Sequence, residues 1–219
     1  MRSKFHFIKQ PLIAFLTPLI AAYKTGHIRS SFTRTSVNRM GDPRPWYSLP
    51  AVYFLTQRDF SSAKVLEFGG GYSTVWWSKM SKHVTTFEED EKWTKKFLSM
   101  ADQNVDAFAV PVGLKDERLR SRILEQISTR KTSYDVVVVD AMHRQTLIDL
   151  AFELCSPEGL IIIDNSEGYD TFEITKSKDW LRVDFIGPAN GVSSQHSTSI
   201  FFKNNCPYLS PEHPIAWDL

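Results

Sequence analysis

Four consecutive valines occupy positions 136–139, between Tyr134-Asp135 and Asp140. A strand with one solvated face alternates apolar and polar residues. An unbroken β-branched run instead fits a strand buried on both faces, in the middle of a parallel sheet. The surrounding chain supports such a sheet. Residues 64–68, 84–87, 105–110 and 160–163 read as further strands, and residues 74–81, 91–100, 116–129 and 145–155 as helices between them. Ser73 is the expected N-cap of the first of these helices. Pro157-Glu158-Gly159 is the expected turn into the fifth strand. Five successive βα units predict a doubly wound, Rossmann-like α/β fold with helices on both faces and right-handed crossovers. Residues 181–186 and 198–203 are also strand-like. The linker between them holds Gly187, Pro188, Asn190 and Gly191 and needs no helix, so the last pair is expected to be antiparallel.

The length of 219 residues suits one such domain. The 42% hydrophobic and 23% charged fractions exclude a disordered chain, a collagen or a disulfide scaffold. Cys155 and Cys206 form neither a CxxC pair nor a zinc set, which is the usage expected of reduced thiols in a cytoplasmic protein. The near-neutral net charge hides a division. Eight of the 26 basic side chains but only one of the 25 acids lie in residues 1–45, leaving +7 there and −6 in the remainder. We therefore divide the chain into a basic, partly helical leader, residues 1–45, expected to pack on the core, and a catalytic domain, residues 46–219. Within the leader, residues 10–23 are uncharged and mostly apolar. Fourteen residues are too few for a bilayer, which needs about 20. Pro11 and Pro18 interrupt the run, and with Lys4 and Lys9 ahead it imitates a signal-peptide core. A core or interfacial helix is the preferred reading.

The most specific local signal is Val65-Leu66-Glu67-Phe68-Gly69-Gly70-Gly71-Tyr72-Ser73-Thr74, where a strand meets a helix through three glycines. Glycines permit close approach of a ligand to the backbone, and the helix N-terminus offers free N–H groups. Glu88 ends the next strand, where a carboxylate can accept both hydroxyls of a ribose. Two patterns compete. A dinucleotide turn wants G-x-G-x-x-G, which Gly69 and Gly71 meet and Thr74 does not. An acid followed by G-x-G-x-G fits Glu67, Gly69 and Gly71, with Ser73 in place of the third glycine. Glu67 favours the second, because a carboxylate there would repel a pyrophosphate but suit an ammonium.

Those residues carry a resemblance. The segments PWYSLPAVYFL, VLEFGGGYSTVWWSK, VTTFEED, YDVVVVDA, GLIIIDNSE and STSIFFKNN are similar to class I S-adenosylmethionine-dependent methyltransferases, over about residues 45–203. More narrowly they resemble a bacterial group of uncharacterised acceptor, a likeness that includes Gly26-His27-Ile28-Arg29-Ser30. The resemblance implies a seven-stranded sheet, mostly parallel, whose last strand lies antiparallel beside the fifth. It implies S-adenosylmethionine as cofactor, with Glu67, Gly69, Gly70, Gly71 and Ser73 around the methionine part and Glu88 on the ribose. It assigns no adenine contacts.

Ligands of open α/β sheets sit beyond the carboxyl ends of the strands. Asp140 follows the fourth strand there and is the leading candidate to position or deprotonate an acceptor hydroxyl. His143 is a candidate acid or base by residue type, and Arg144 can clamp an anionic group. Each also has a plainer reading: Asp140 as a helix cap, His143 as a solvated loop residue, Arg144 as an ion-pair partner. Asp140, Asp164 and Asn165 together resemble the Mg²⁺ ligands of catechol-type O-methyltransferases, and their oxygens suit that ion. His196 ranks below His143. Trp46 and Tyr47 are read equally as an aromatic lid or as core, Trp76 and Trp77 as core.

The function expected is methylation of a small-molecule or glycan-like hydroxyl. The alternatives are a catalytically inactive cofactor-binding or interaction module of the same fold and a nucleotide-dependent oxidoreductase. No Tyr-x-x-x-Lys pair supports a short-chain dehydrogenase, and no phosphate-binding G-x-x-x-x-G-K-[ST] supports a kinase. The leader's charges are scattered singly, against a nucleic-acid partner. Peripheral membrane contact through residues 1–30 is expected of so basic and apolar a segment. The oligomeric state is left open.

Overall fold

A computed structural model describes residues 5–111, 113, 116–128, 133–171 and 179–210. Residues 1–4 of the expected leader, Thr129 of the expected helix and residues 211–219 of the expected domain lie outside them. Three helices come first: α1 (Phe5–Lys24), α2 (His27–Thr33) and α3 (Leu49–Leu55). Strands and helices then alternate through β1 (Lys64–Phe68), α4 (Tyr72–Met80), β2 (His83–Glu88), α5 (Glu91–Leu98) and β3 (Val105–Ala109). The alternation continues through α6 (Asp116–Ser128), β4 (Tyr134–Val139), α7 (Arg144–Leu154) and β5 (Cys155–Asp164), and ends in β6 (Leu181–Pro188) and β7 (Gln195–Phe202). The sheet has seven strands in the order β3-β2-β1-β4-β5-β7-β6. Strands β1 to β5 pair in parallel, and β7 runs antiparallel to both β5 and β6. The Rossmann-like α/β architecture and its antiparallel end are those expected.

The valine run sits where its chemistry puts it. β4 lies between β1 and β5, with layers on both sides. Val137 and Val139 join Leu66, Phe68 and Ile161 against Ile123 of α6 and Ile148 of α7. Val136 and Val138 face the other way, with Val65 and Ile162, toward Val52 of α3 and Trp77 of α4. Successive residues thus bury on opposite faces, which removes the polar half of the usual alternation. Glu67 breaks this rule: it is a fully buried acid in β1 between apolar Leu66 and Phe68. The sheet otherwise has little reason to bury a carboxylate.

Three local expectations need correction. The helix after the glycines starts at Tyr72, with Gly71 rather than Ser73 at its N-cap position. Thr74 Oγ1 accepts the Gly71 N–H, which a serine inside the first turn cannot do in its place. Pro157-Glu158-Gly159 is a bulge within β5 rather than a turn before it, since pairing jumps from Tyr134–Cys155 to Val136–Leu160. Pro11 and Pro18 lie inside α1 and do not end it.

The chain between α1 and α3 is pinned to the β6–β7 turn. Asn190 Nδ2 donates to the carbonyls of Thr25 and Val37, and Trp46 Nε1 donates to the Asn190 carbonyl. Ser48, ahead of α3, donates through its N–H to Thr198 Oγ1 and through its hydroxyl to the Phe185 carbonyl. These bonds carry residues 34–46 to the carboxyl ends of the strands. No helix among the described residues is long and apolar enough to cross a membrane.

Candidate functional site

The carboxyl ends of β1, β2 and β4 open onto a cavity of about 560 Å³. Its first wall is the glycine turn. Gly69 is set by two backbone bonds, its own N–H to the Phe87 carbonyl and the Asp140 N–H to the Phe68 carbonyl. It has φ +93, and a Cβ there would lie 2.2 Å from the Asp140 carbonyl oxygen. The packing of the strands alone therefore requires this glycine. Gly71 differs. Its φ of 176 is extended, and the nearest atom to an added Cβ is Trp93 Nε1 at 3.3 Å. A Cβ at Gly71 would press on the Trp93 ring rather than on backbone, so it is accommodated only if that ring gives by a few tenths of an ångström; Gly71 also lines the cavity.

Beneath the turn lies Glu67. Its Oε2 accepts from the hydroxyls of Thr74 and of Thr86, the latter at 3.1 Å, while Oε1 is buried without a hydrogen-bond partner. Burial pushes the carboxyl up to about 7, partly offset by the hydroxyls of Ser73, Thr74 and Thr86. Glu67 thus braces the turn through Thr74. It does not itself line the cavity, whereas Gly69, Gly70, Gly71, Ser73 and Glu88 do.

Glu88 ends β2 with Oε1 accepting the N–H groups of Glu89 and Asp90. Asp90 caps α5, which places Trp93 so that its indole N–H donates to the Gly70 carbonyl at 2.8 Å. The Tyr72 and Trp93 rings stack at 5.6 Å, with Lys96 over Trp93. Val110, Leu119 and Ile123 add an apolar surface after β3. None of these last residues carries a motif of its own, and they were not picked out from the sequence.

The far wall holds Asp140 and Arg144. Arg144 Nη2 donates to Asp140 Oδ1 at 2.5 Å and to Asn165 Oδ1 at 3.0 Å. Burial and then the charge of Asp164 raise the Asp140 pKa, and Arg144 opposes them. His143 precedes α7 at its N-cap position in a left-handed conformation, φ 61, and is not part of the cavity lining. Asp164 turns the other way. Thr198 Oγ1 donates to its Oδ1 at 2.6 Å, and His196 Nε2 stands 3.6 Å from the same oxygen. The Asp140, Asp164 and Asn165 set does not suit Mg²⁺. A guanidinium already joins two of its members, and the third is committed to Thr198. Among the described residues no three acids, histidines or cysteines are grouped to hold a metal.

The last wall comes from the leader and the first residue after it. Arg34, Thr35, Ser36, Arg44 and Trp46 line the cavity opposite the glycine turn. The adjacent aromatics part company: Trp46 is 47% exposed at the cavity, while Tyr47 is fully buried and accepts a hydrogen bond from Trp77 Nε1. Of this wall only Trp46 was a candidate from the sequence, as one of two readings; Arg34, Thr35, Ser36 and Arg44 carry no motif.

No protein-family model matches the chain, and no curated protein does. Solved structures do. The O-methyltransferase TomG from Streptomyces achromogenes, involved in tomaymycin synthesis and determined in complex with S-adenosylmethionine, is 15% identical with a TM-score of 0.57. The likeness covers 87% of this chain and 94% of that one. An O-methyltransferase from Bacillus cereus, in complex with S-adenosylhomocysteine, is 15% identical over 89% of this chain and 97% of that one, with a TM-score of 0.50. At such identities the likeness is one of fold: the chain has the fold of class I S-adenosylmethionine-dependent methyltransferases.

Proposed function

We propose that the protein is an S-adenosylmethionine-dependent methyltransferase that acts on a hydroxyl of a small-molecule or glycan-like acceptor. One observation carries the reading. A single cavity joins the glycine turn, a carboxylate at the tip of β2 and an apolar surface after β3, with Gly69, Gly70 and Gly71 all on its lining. A ligand with a charged tail, a ribose and a flat base needs those surfaces in that order. The two solved relatives bound to S-adenosylmethionine and S-adenosylhomocysteine support the same choice.

In this reading Gly69, Gly70, Gly71 and Ser73 cradle the methionine part, with Glu67 bracing the turn from beneath through Thr74. Glu88 holds the ribose hydroxyls, and Val110, Leu119 and Ile123 take the base. The bound cofactor would supply an electrophilic methyl group on a sulfonium. The chain's task is then to align the acceptor oxygen and take up its proton. Asp140 faces the cavity, with Oδ1 fixed by Arg144, and receives that proton on Oδ2. Arg34 and Arg44 on the leader wall favour an acceptor that carries negative charge. Arg144 supplies the positive charge beside Asp140 that a cation-dependent enzyme takes from its metal. A methyl-transfer screen of sugars, sugar nucleotides and phenols, with and without Mg²⁺, tests the reading. Transfer to at least one hydroxyl class without added metal is expected. Absence of transfer to any class, from protein that binds the cofactor, would favour the inactive module.

A further inference from the structure

The longest helix among the described residues, α1, stands in solvent along most of its length. In α1 every described position from Gln10 to Ala21 is exposed. At 3.6 residues per turn, Leu12, Phe15, Leu16, Leu19, Ile20 and Tyr23 fall within about 140° of one another. Each is between 39% and 71% exposed. The opposite side carries Pro11, Ala14, Thr17, Pro18 and Ala21. One face is thus bulky and apolar and the other small. A contiguous exposed patch of this kind marks an interaction surface.

Charge decides what it meets. No acidic residue occurs before Asp42, whereas Lys9, Lys24, Arg29, Arg34 and Arg39 all do. A second copy seated on this face would bring a like-charged segment against it. An anionic lipid surface meets both requirements, since its headgroups attract the basic side chains and its acyl boundary takes the apolar face. The uncharged stretch of 14 residues is about 21 Å long as a helix, short of the ~30 Å hydrocarbon core. That length suits a helix lying in the interface.

We infer that α1 docks the protein on an anionic membrane surface, with its Leu12–Tyr23 face in the acyl boundary and Lys24 among the headgroups. This goes beyond the methyltransferase reading and does not depend on it. The test is co-sedimentation of the full chain with vesicles of phosphatidylcholine alone or mixed with phosphatidylglycerol, at low and high salt. Binding to the mixed vesicles, weakened by salt, is expected. The double variant Leu16→Asp, Leu19→Asp should bind at least about tenfold more weakly. Both leucines are exposed, so this variant should keep its thermal midpoint and its S-adenosylhomocysteine binding. Lys24→Glu should weaken binding to mixed vesicles while leaving the apolar face intact. Wild-type protein that stays in the supernatant, or a double variant that binds as well as wild type, would overturn the proposal. So would a lipid-free dimer in sedimentation velocity that the double variant abolishes, because the face would then belong to a second copy.

Discussion

Glu67→Gln is the substitution whose outcome the structure determines most fully. Glu67 is completely buried and held by hydroxyls, with Oε1 lacking any partner. Its carboxyl is raised from 4.5 to about 7, burial being the largest cause. At 1.36 kcal/mol per pH unit this corresponds to about 3 kcal/mol. The unfolded chain loses the proton near 4.5 while the folded chain keeps it to about 7. Between these values the folded state binds the extra proton, so stability falls as pH rises and stays reduced above the folded value. Glutamine keeps an acceptor oxygen for Thr74 and Thr86 and carries no charge at any pH. Urea unfolding of both proteins at about pH 5 and about pH 8 reads the effect, since titrating groups that do not face Glu67 cancel in the difference. Wild type should lose about 2.5 kcal/mol more than the variant over that range, since at about pH 5 the unfolded chain is already mostly ionised. Parallel pH profiles for the two proteins would refute the account of Glu67.

The glycines separate fold from ligand. Gly69→Ala meets the Asp140 carbonyl and a left-handed φ, and should destabilise by about 3 kcal/mol or more in denaturant unfolding. Gly71→Ala should change stability by less than about 1 kcal/mol yet weaken S-adenosylhomocysteine binding about tenfold in calorimetry. Asp140→Asn should leave cofactor affinity within about twofold while turnover drops about a hundredfold or more. Because Arg144 joins Asp140 to Asn165, turnover should persist in a chelator; loss that Mg²⁺ restores would contradict this placement.

The sheet was legible because its strands are buried on both faces and say so in composition. The valines of β4, the isoleucines of β5 and the glycine turn after β1 each follow from local chemistry. The bulge at Pro157-Glu158-Gly159 misled because its residues are those of a turn. The helix after the turn begins at Tyr72 because Thr74 reaches back to Gly71, a bond that a reading centred on Ser73 overlooks. The leader wall was hidden for another reason. Trp46 is fixed by Asn190, 144 residues away, and no periodicity records such a contact. The pairing of Asp140 with Arg144 is different again, as four residues separate them and an ion pair was one of the readings the spacing allowed. What spacing could not show is that the same guanidinium also takes Asn165.

The central claim is that the cavity between the glycine turn, Glu88 and Asp140 holds S-adenosylmethionine. Isothermal titration of the full chain with S-adenosylmethionine and with S-adenosylhomocysteine tests it most directly. The account predicts saturable heat at one site per chain for both compounds, with binding weakened in Gly71→Ala. No heat from either compound, on protein that unfolds cooperatively, would contradict it.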